Sequence, residues 1–380
     1  MDFQLPEDLV ALRNTVREFC ETEVKPFARE WDETEEFPSK TVEKIGELGL
    51  LGMGVPEEYG GVGLSALGIA TVIEEIARYD GSLALTVASH NGLCTNHLRS
   101  FASEELKSKW LPRLATGEAL GAWALSEPGS GSDAAGLLTT AVRKGDGWVL
   151  NGSKMWITQG TMGGVYVVLA STDREKKQKG ITAFVVEPGT PGFQTVPVKH
   201  KLGMRSSDTA ELVFENCFVP DSNRVGEVDR GFVDTCKILD KGRITIGALA
   251  VGLGRGALEE AIAYGKDRKA FGQPIADFQA IRFMLADMQT ELDAARLLVQ
   301  RAATLCDAGK PYTKEASMAK VFASEAATRA CNKALQIHGG YGYTKEFPVE
   351  RYLRDAKLCE IGEGTSEIQR IVISREVLRQ

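Results

Sequence analysis

The chain predicts an α+β fold with a helical N-terminal domain (1–120), a central antiparallel β domain (121–232) and a C-terminal helical bundle (233–380). Three observations carry this. Leu9, Leu12, Val16 and Phe19 recur at spacings of three and four, as one buried helix face requires. From about residue 121 the pattern becomes short β-type runs between turn residues, among them "GVYVVLAS", "GITAFVVEP", "GFQTVPV" and "TAELVFENCFVP". Helical periodicity returns near 237 and persists over 237–265, 277–308, 313–338 and a last helix from about 366.

Within the first territory the glycine-rich "GLLGMGVPEEYGGVGLS" ends one helix, "ALGIATVIEEIARYD" resumes the helical period, and 105–115 form another amphipathic helix. In the second, Gly145, Asp146 and Gly147 sit at a hairpin turn. Asn151-Gly-Ser153 has the form of a glycosylation acceptor but reads as a plain turn. In the third, long helices joined by short loops imply antiparallel neighbours.

Composition narrows the function. At 380 residues there is room for two or three folding units, and 43% apolar with 26% charged residues is ordinary for a globular chain. A net charge of -7 and no basic stripe argue against nucleic acid. Seven scattered cysteines form no C-x-x-C pair and suit a reducing compartment. The start "MDFQLPEDLV" lacks the basic and apolar regions of a leader, and no apolar run approaches the roughly 18 residues of a membrane span. A soluble, cytoplasmic protein is expected.

Several constellations fail or are weak. Gly252-x-Gly254 with Ala257 and Asp277 has dinucleotide-like spacing, but it lies within a helical stretch, where small residues serve close packing. No G-x-S-x-G occurs, and His90, His97, His200 and His338 have no metal-binding spacing. His338 reads as packing at a helix end.

Three glycine-rich segments are stronger. "WALSEPGSGSD" (123–133) lets Gly129 and Gly131 turn the backbone inwards, so that the Gly131 and Ser132 amides could hold an anionic ligand, with Trp123 and Trp156 flanking a planar one. "QIHGGYGYTKEFPVERYLRD" (336–355) places Gly339, Gly340 and Gly342 between helices and Arg351, Arg354 and Asp355 on one helix face. In "IGEGTSEIQR" (361–370), Ser366 and Gln369 read as a capping box and Glu367 as a first-turn acid suited to the helix dipole. Glu363 stands before that cap, on a loop that glycines bring close to the helix terminus.

Together with "KMWITQG" (154–160) and "DRKAFGQPIADFQ" (267–279), these segments closely resemble the flavin-dependent acyl-CoA dehydrogenases, in order and spacing from end to end. The resemblance implies an N-terminal helical domain, a β domain and a four-helix bundle, FAD, and a homotetramer built as a dimer of dimers. It implies that Trp123, Leu125, Ser126, Gly131, Ser132, Trp156 and Thr158 hold the isoalloxazine and first phosphates. Arg268, Phe271, Gln279, Gln336, Gly339 and Gly340 would reach the neighbouring subunit's FAD, and Thr365 and Glu367 would lie by the adenosine side of their own. Ser132, Asp240, Arg243 and Gly364 would contact the acyl-CoA.

Glu363 aligns with the family's base. It would take the α-proton while hydride passes from Cβ to flavin N5, giving the trans-2-enoyl-CoA. Burial beside an acyl chain should raise its pKa. Its backbone amide, with a ribityl hydroxyl, would bind the thioester oxygen. Electrons would pass to an electron-transfer flavoprotein. Some members carry the base on the bundle helix instead, at the position of Gly242, which cannot serve. Gly362, where straight-chain members often have tyrosine, suggests an opened pocket wall. A short straight acyl chain is the first expectation and a branched or cyclic one the second. Rival readings are an acyl-CoA oxidase, or a non-catalytic acyl-CoA-binding protein.

Overall fold

The computed structural model describes residues 4–379. Seven helices come first: α1 (Glu7–Glu23), α2 (Ala28–Thr34), α3 (Ser39–Glu47), α4 (Ala66–Ala77), α5 (Gly81–Ser89), α6 (Asn96–Phe101) and α7 (Glu104–Thr116), with a π-helical turn over His90–Thr95. Side-chain caps start three of them. The Ser65, Asp80 and Ser103 oxygens accept from the amides of Gly68, Leu83 and Leu106, satisfying donors that a helix start leaves free. On α1, Leu9 and Val16 are buried, while Leu12 and Phe19 pack as partly buried neighbours of the core.

The β territory contains β1 (Leu120–Ala124), β2 (Thr140–Lys144), β3 (Gly147–Thr158), β4 (Gly163–Ser171), β5 (Ile181–Val186), β6 (Phe193–Pro197), β7 (Thr209–Pro220) and β8 (Arg224–Val225). Their order is β6-β7-β3-β2-β4-β5-β8, with β1 beside β4. The β2–β3 hairpin turns at Gly145-Asp146, with Lys144 opposite Gly147, as the sequence indicates. Two expectations are corrected. The sheet is not wholly antiparallel, because β1 runs parallel to β4, and the β2–β3 hairpin between them in the chain serves as the crossover that parallel pairing needs. Asn151-Gly-Ser153 is no turn either: it lies inside β3 at a bulge, with Gly152 at φ 141° and the Asn151 carbonyl oxygen of the side chain accepting from the Asn216 amide. Strands β1 and β5 are buried along their whole length and β4 nearly so, which is why "GVYVVLAS" and "ITAFVV" read as continuous apolar runs.

Five helices follow: α8 (Gly231–Asp267), α9 (Gln279–Asp307), α10 (Thr313–His338), α11 (Val349–Ile361) and α12 (Ser366–Leu378). A short hairpin of β9 (Lys269–Ala270) and β10 (Gln273–Pro274) links α8 to α9. The largest core is shared, since Ile69, Ile73 and Ile76 of α4 bury against the same cluster as Leu249, Leu253 and Leu258 of α8. Glycines make the approach possible. A Cβ at Gly252 would collide with the Glu74 carbonyl of α4, and one at Gly256 with the Arg78 carbonyl. The dinucleotide-like spacing is therefore a helix-packing seam.

Arg351, Arg354 and Asp355 on α11 tie the three territories together. Arg354 clamps Asp32 of α2 at 2.6 and 3.0 Å, Arg351 donates to the Tyr79 carbonyl at 3.0 Å, and Asp355 accepts from the Met204 amide at 2.5 Å. Gly252→Val should destabilise the fold by about 3 kcal/mol or more in urea unfolding, because neither helix backbone can move aside. Gly129→Ala, with nothing within 4 Å of its new carbon, should stay within about 0.5 kcal/mol.

Candidate active site

The turn between α11 and α12 is built for a projecting side chain. Gly362 is extended (φ -67°, ψ 152°), and then Glu363 and Gly364 both take left-handed backbone at φ 52° and 93°. Left-handed backbone costs a residue with a Cβ, so Glu363 is held there by its surroundings. Gln369 Nε2 donates to the carbonyls of Gly364 at 2.9 Å and Glu363 at 3.4 Å, and Lys320 Nζ of α10 donates to the Gly364 carbonyl at 2.7 Å. The expected capping box is corrected by one residue. Thr365, extended at ψ 164°, is the cap, and its hydroxyl accepts from the Ile368 amide at 3.3 Å. Gln369 is thereby freed to brace the turn. Glu367 is exposed in the first turn, its carboxyl held below the usual range by its own amide and the Thr365 hydroxyl.

Although Glu363 as a residue is part-exposed, its Oε2 is shut off from solvent and has no hydrogen-bond partner. Burial pushes its pKa from 4.5 to about 7, against the pull of the Lys320 and Arg243 charges. That oxygen lies over Gly242: a Cβ there would collide with Oε2 and touch Leu93 Cδ2 at 3.4 Å. The two positions at which the resembled family carries its base thus share one space, which here is filled from the α11–α12 turn. Gly362 has another basis. A Cβ there would meet Leu358 atoms no nearer than 3.5 Å, so packing does not demand glycine.

Next to Gly242 on α8, Arg243 Nη1 bonds Asp240 Oδ1 at 2.5 Å and Ser317 Oγ at 3.3 Å, leaving its Nε buried and unpartnered. Asp240 also accepts from the Thr313 hydroxyl at 2.5 Å, and burial raises its pKa despite Arg243.

The expected flavin-side residues gather where β1 leaves the sheet. Met155 N donates to the Ser126 carbonyl at 2.9 Å, joining the Leu125–Ser126 segment to Trp156 and Thr158 of β3. Trp156 is 60% exposed at φ 67°, a large apolar face held open by left-handed backbone. Trp123 differs from expectation. Its ring is buried with the indole N–H donated to His97 Nδ1 at 2.9 Å, so the ring is not free to flank a planar ligand. Gly131 and Ser132 are exposed, and a Cβ on Gly129 or Gly131 would meet nothing within 4 Å. The exposed Trp156 ring and the open Gly131–Ser132 turn therefore suit a planar, anion-bearing group such as FAD.

Arg268, Phe271, Gln279, Gln336, Gly339 and Gly340 are all exposed at the other end of α8. The Arg268 guanidinium lies 5.6 Å over the Tyr341 ring, and Phe271 is 96% exposed at φ 51°. At 1.5 Å per residue, Asp267 is about 38 Å along the helix from Gly242, so this cluster cannot close on the Glu363 carboxylate within one chain. His338 stacks on Tyr264 at 4.2 Å and is a packing residue, as read from the sequence.

Sequence reasoning missed two buried lysines. Lys154 is fully buried and donates to the Leu125 carbonyl at 3.0 Å and Glu127 Oε1 at 2.8 Å, while Glu127 also accepts from the Leu138 and Thr139 amides at 2.5 and 2.9 Å. Lys320 is fully buried too. Its signal was present, since Lys320 shares a helical stripe with Ala316, Ala323 and Ala327, all buried.

Comparison with known proteins decides the family. Matches run to the acyl-CoA dehydrogenase N-terminal domain over 6–118, its middle domain over 122–217 and its C-terminal domain over 229–378. The chain belongs to the acyl-CoA dehydrogenases. It is 46% identical over 379 residues to the short-chain specific acyl-CoA dehydrogenase of Clostridium acetobutylicum, covering 100% of both chains. It superposes with TM-score 0.98 and 41% identity on the butyryl-CoA dehydrogenase of Megasphaera elsdenii, again covering 100% of both. A chain solved in work on the electron transferring flavoprotein of Acidaminococcus fermentans gives TM-score 0.98 at 44% identity and full coverage. The family is FAD-dependent, and its members oxidise acyl-CoA. Among the described residues no helix is long and apolar enough to cross a membrane, and no cluster of ligands could hold a metal.

Because the folded chain binds the Glu363 proton more tightly than the unfolded one, its contribution to stability is complete below about pH 4.5 and falls away as pH rises towards 7. Relative to the parent, Glu363→Gln should therefore gain stability with rising pH. The difference should reach on the order of 2 kcal/mol by pH 8 in paired urea melts at pH 5 and pH 8.

Proposed function

We propose that this acyl-CoA dehydrogenase converts a short-chain acyl-CoA to its trans-2-enoyl-CoA, with Glu363 as the base that removes the α-proton. The observation that carries the reading is the Glu363 carboxyl itself, with one oxygen buried and unpartnered above Gly242 and a pKa raised by burial to about 7. A base poised near the working pH accepts a proton effectively while remaining substantially ionised. Bound FAD supplies the acceptor for the hydride that leaves Cβ. The chain's part is to bring the thioester's α-carbon under the carboxylate and keep water out. Arg243 Nε, buried without a partner beside Asp240, is the donor that would serve the acyl-CoA. Ser132 and Gly364 lie on the loops that would flank the thioester. Ser126, Trp156 and Thr158 would hold the flavin, with Thr365 and Glu367 towards its adenosine side.

The Arg268 and Gln336–Gly340 cluster, about 38 Å of helix away, is read as serving the cofactor of a second subunit, within a tetramer built as a dimer of dimers. The electron acceptor is read as an electron-transfer flavoprotein, in line with the similarity to the Acidaminococcus chain.

The short-chain assignment leans on the likeness to short-chain specific and butyryl-CoA enzymes. A branched acyl group is the second reading, favoured by the side-chain-free Gly362 beside the base, where packing would admit a larger residue.

Anaerobic butyryl-CoA should bleach the flavin of the purified holoenzyme, and Glu363→Gln should slow bleaching by at least about a thousandfold while leaving FAD bound. Bleaching at the parent rate would refute Glu363 as base, and rapid reoxidation by oxygen would instead indicate an oxidase. Gly362→Tyr should lower kcat/KM for isovaleryl-CoA at least about tenfold more than for butyryl-CoA, measured across a panel of straight and branched substrates.

A further inference from the structure

Lys320 is not explained by FAD, by the acyl-CoA or by packing. It projects from α10 into the interior among Ala316, Ala323 and Ala327 and is fully buried. No carboxylate lies within ion-pair distance of it among the described residues, and its one hydrogen bond, at 2.7 Å, goes to the Gly364 carbonyl, next to Glu363. Burying a lysine without a counter-ion is costly, and here burial pushes its pKa down to about 8, with Cys359 and Glu363 pulling it back up. A buried cation kept at such cost beside a carboxylate with a free oxygen points to a shared electrostatic task.

The charged and titratable groups around Glu363 and Lys320 can be named from each neighbouring element: Lys320 and Arg243 act on the Glu363 carboxylate, and Cys359 and Glu360 act on the Lys320 amine. Asp240 and Arg243 come from α8, and they largely satisfy each other at 2.5 Å. Cys359 and Glu360 come from α11: the thiol is buried with its pKa pushed up to about 12, and Glu360 is paired with Lys357 at 2.6 Å. From α12, Glu367 is exposed. Lys320, from α10, is the cation in this set without a carboxylate partner.

We infer that Lys320 is the positioning residue of the base. Its ammonium pins the Gly364 carbonyl so that Glu363 keeps its left-handed turn, and its charge keeps the Glu363 carboxylate ionised once the acyl chain has displaced water. Covering Glu363 with an apolar chain removes solvent stabilisation of the anion, whereas the Lys320 ammonium behind the turn stays beside the carboxylate at pH below about 8. The inference rests on the reading of Glu363 as base. The thioester proton goes to Glu363 alone, and Lys320 neither gains nor loses one.

The test uses the FAD-loaded enzyme as Lys320→Met, which removes both charge and donor, Lys320→Gln, which keeps a donor, and Lys320→Arg, which keeps the charge. The acid limb of the kcat/KM profile, set by Glu363 ionisation, should move up by about one pH unit in the Met and Gln forms, a roughly tenfold loss on the acid side of the limb that recovers at higher pH. In the Arg form it should stay within about 0.3 unit of the parent. Independently of activity, the protonated-carboxyl infrared band that Glu363→Gln lacks should persist to higher pH in Lys320→Gln than in the parent. This band decides the matter if Lys320→Met does not fold. Coincident acid limbs and infrared titrations in parent and Lys320→Gln would overturn the inference. Full activity of Glu363→Gln would instead overturn the base assignment, while the infrared titration would still report on Lys320.

Discussion

Backbone contact along α8 is the constraint on which the rest depends. A helix of 37 residues can lie against α4 at carbonyl distance only because Gly252 and Gly256 carry no side chain at the crossing. The same economy recurs nearly three turns earlier than Gly252, at Gly242, where the missing Cβ leaves room for one carboxylate oxygen. One small-residue pattern thus joins the N-terminal helices to the bundle and also creates the chamber in which the acid sits.

Once a carboxyl occupies that chamber, the surrounding polar groups follow from the cost of burying it. The turn has to hold Glu363 at positive φ, so its carbonyls are tied down by Gln369 and Lys320. The bundle wall has to supply positive potential without neutralising the acid, and it does so with Arg243, already engaged by Asp240, and with a lysine bonded only to a carbonyl. On the sheet side a different arrangement stiffens the edge that carries Leu125 and Ser126. Lys154 and Glu127 form a buried ion pair whose remaining bonds all go to backbone, so the Leu125–Ser126 segment is held from behind. A pair of this kind adds little net stability, but breaking it leaves an uncompensated charge, which suits a scaffold that must not drift.

Much of this was legible in the chain. The half-exposed α1 declared itself through Leu9 and Val16, the β2–β3 turn through Gly145-Asp146-Gly147, and Glu363 through its flanking glycines. What was hidden has physical reasons. Helix α5 and the π-turn after it are buried nearly all round, so "GSLALTVASHNGLCT" lacks the polar contrast by which a helix face is recognised. The parallel register of β1 depends on which strand lies alongside it, and local spacing carries no trace of that. Tandem Thr365 and Ser366 can both cap a helix, and only the left-handed Gly364 decides between them. The role of the Lys320 amine depends on a carbonyl 44 residues further along the chain. The Trp123 ring, offered by the sequence as a ligand wall, is claimed by His97 from the preceding helical layer.

The shared space of Gly242 and Glu363 also limits how such an enzyme can be rebuilt. A glutamate introduced at 242 alone would set two acids in a volume that admits one, while loss of Glu363 alone would leave none. Moving the base between bundle helix and turn is therefore a coupled exchange whose single-substitution intermediates are crowded or vacant. In a lineage, the two sequence positions would be expected to change together or stay put, so the oxygen above Gly242 acts as a lock on evolutionary drift.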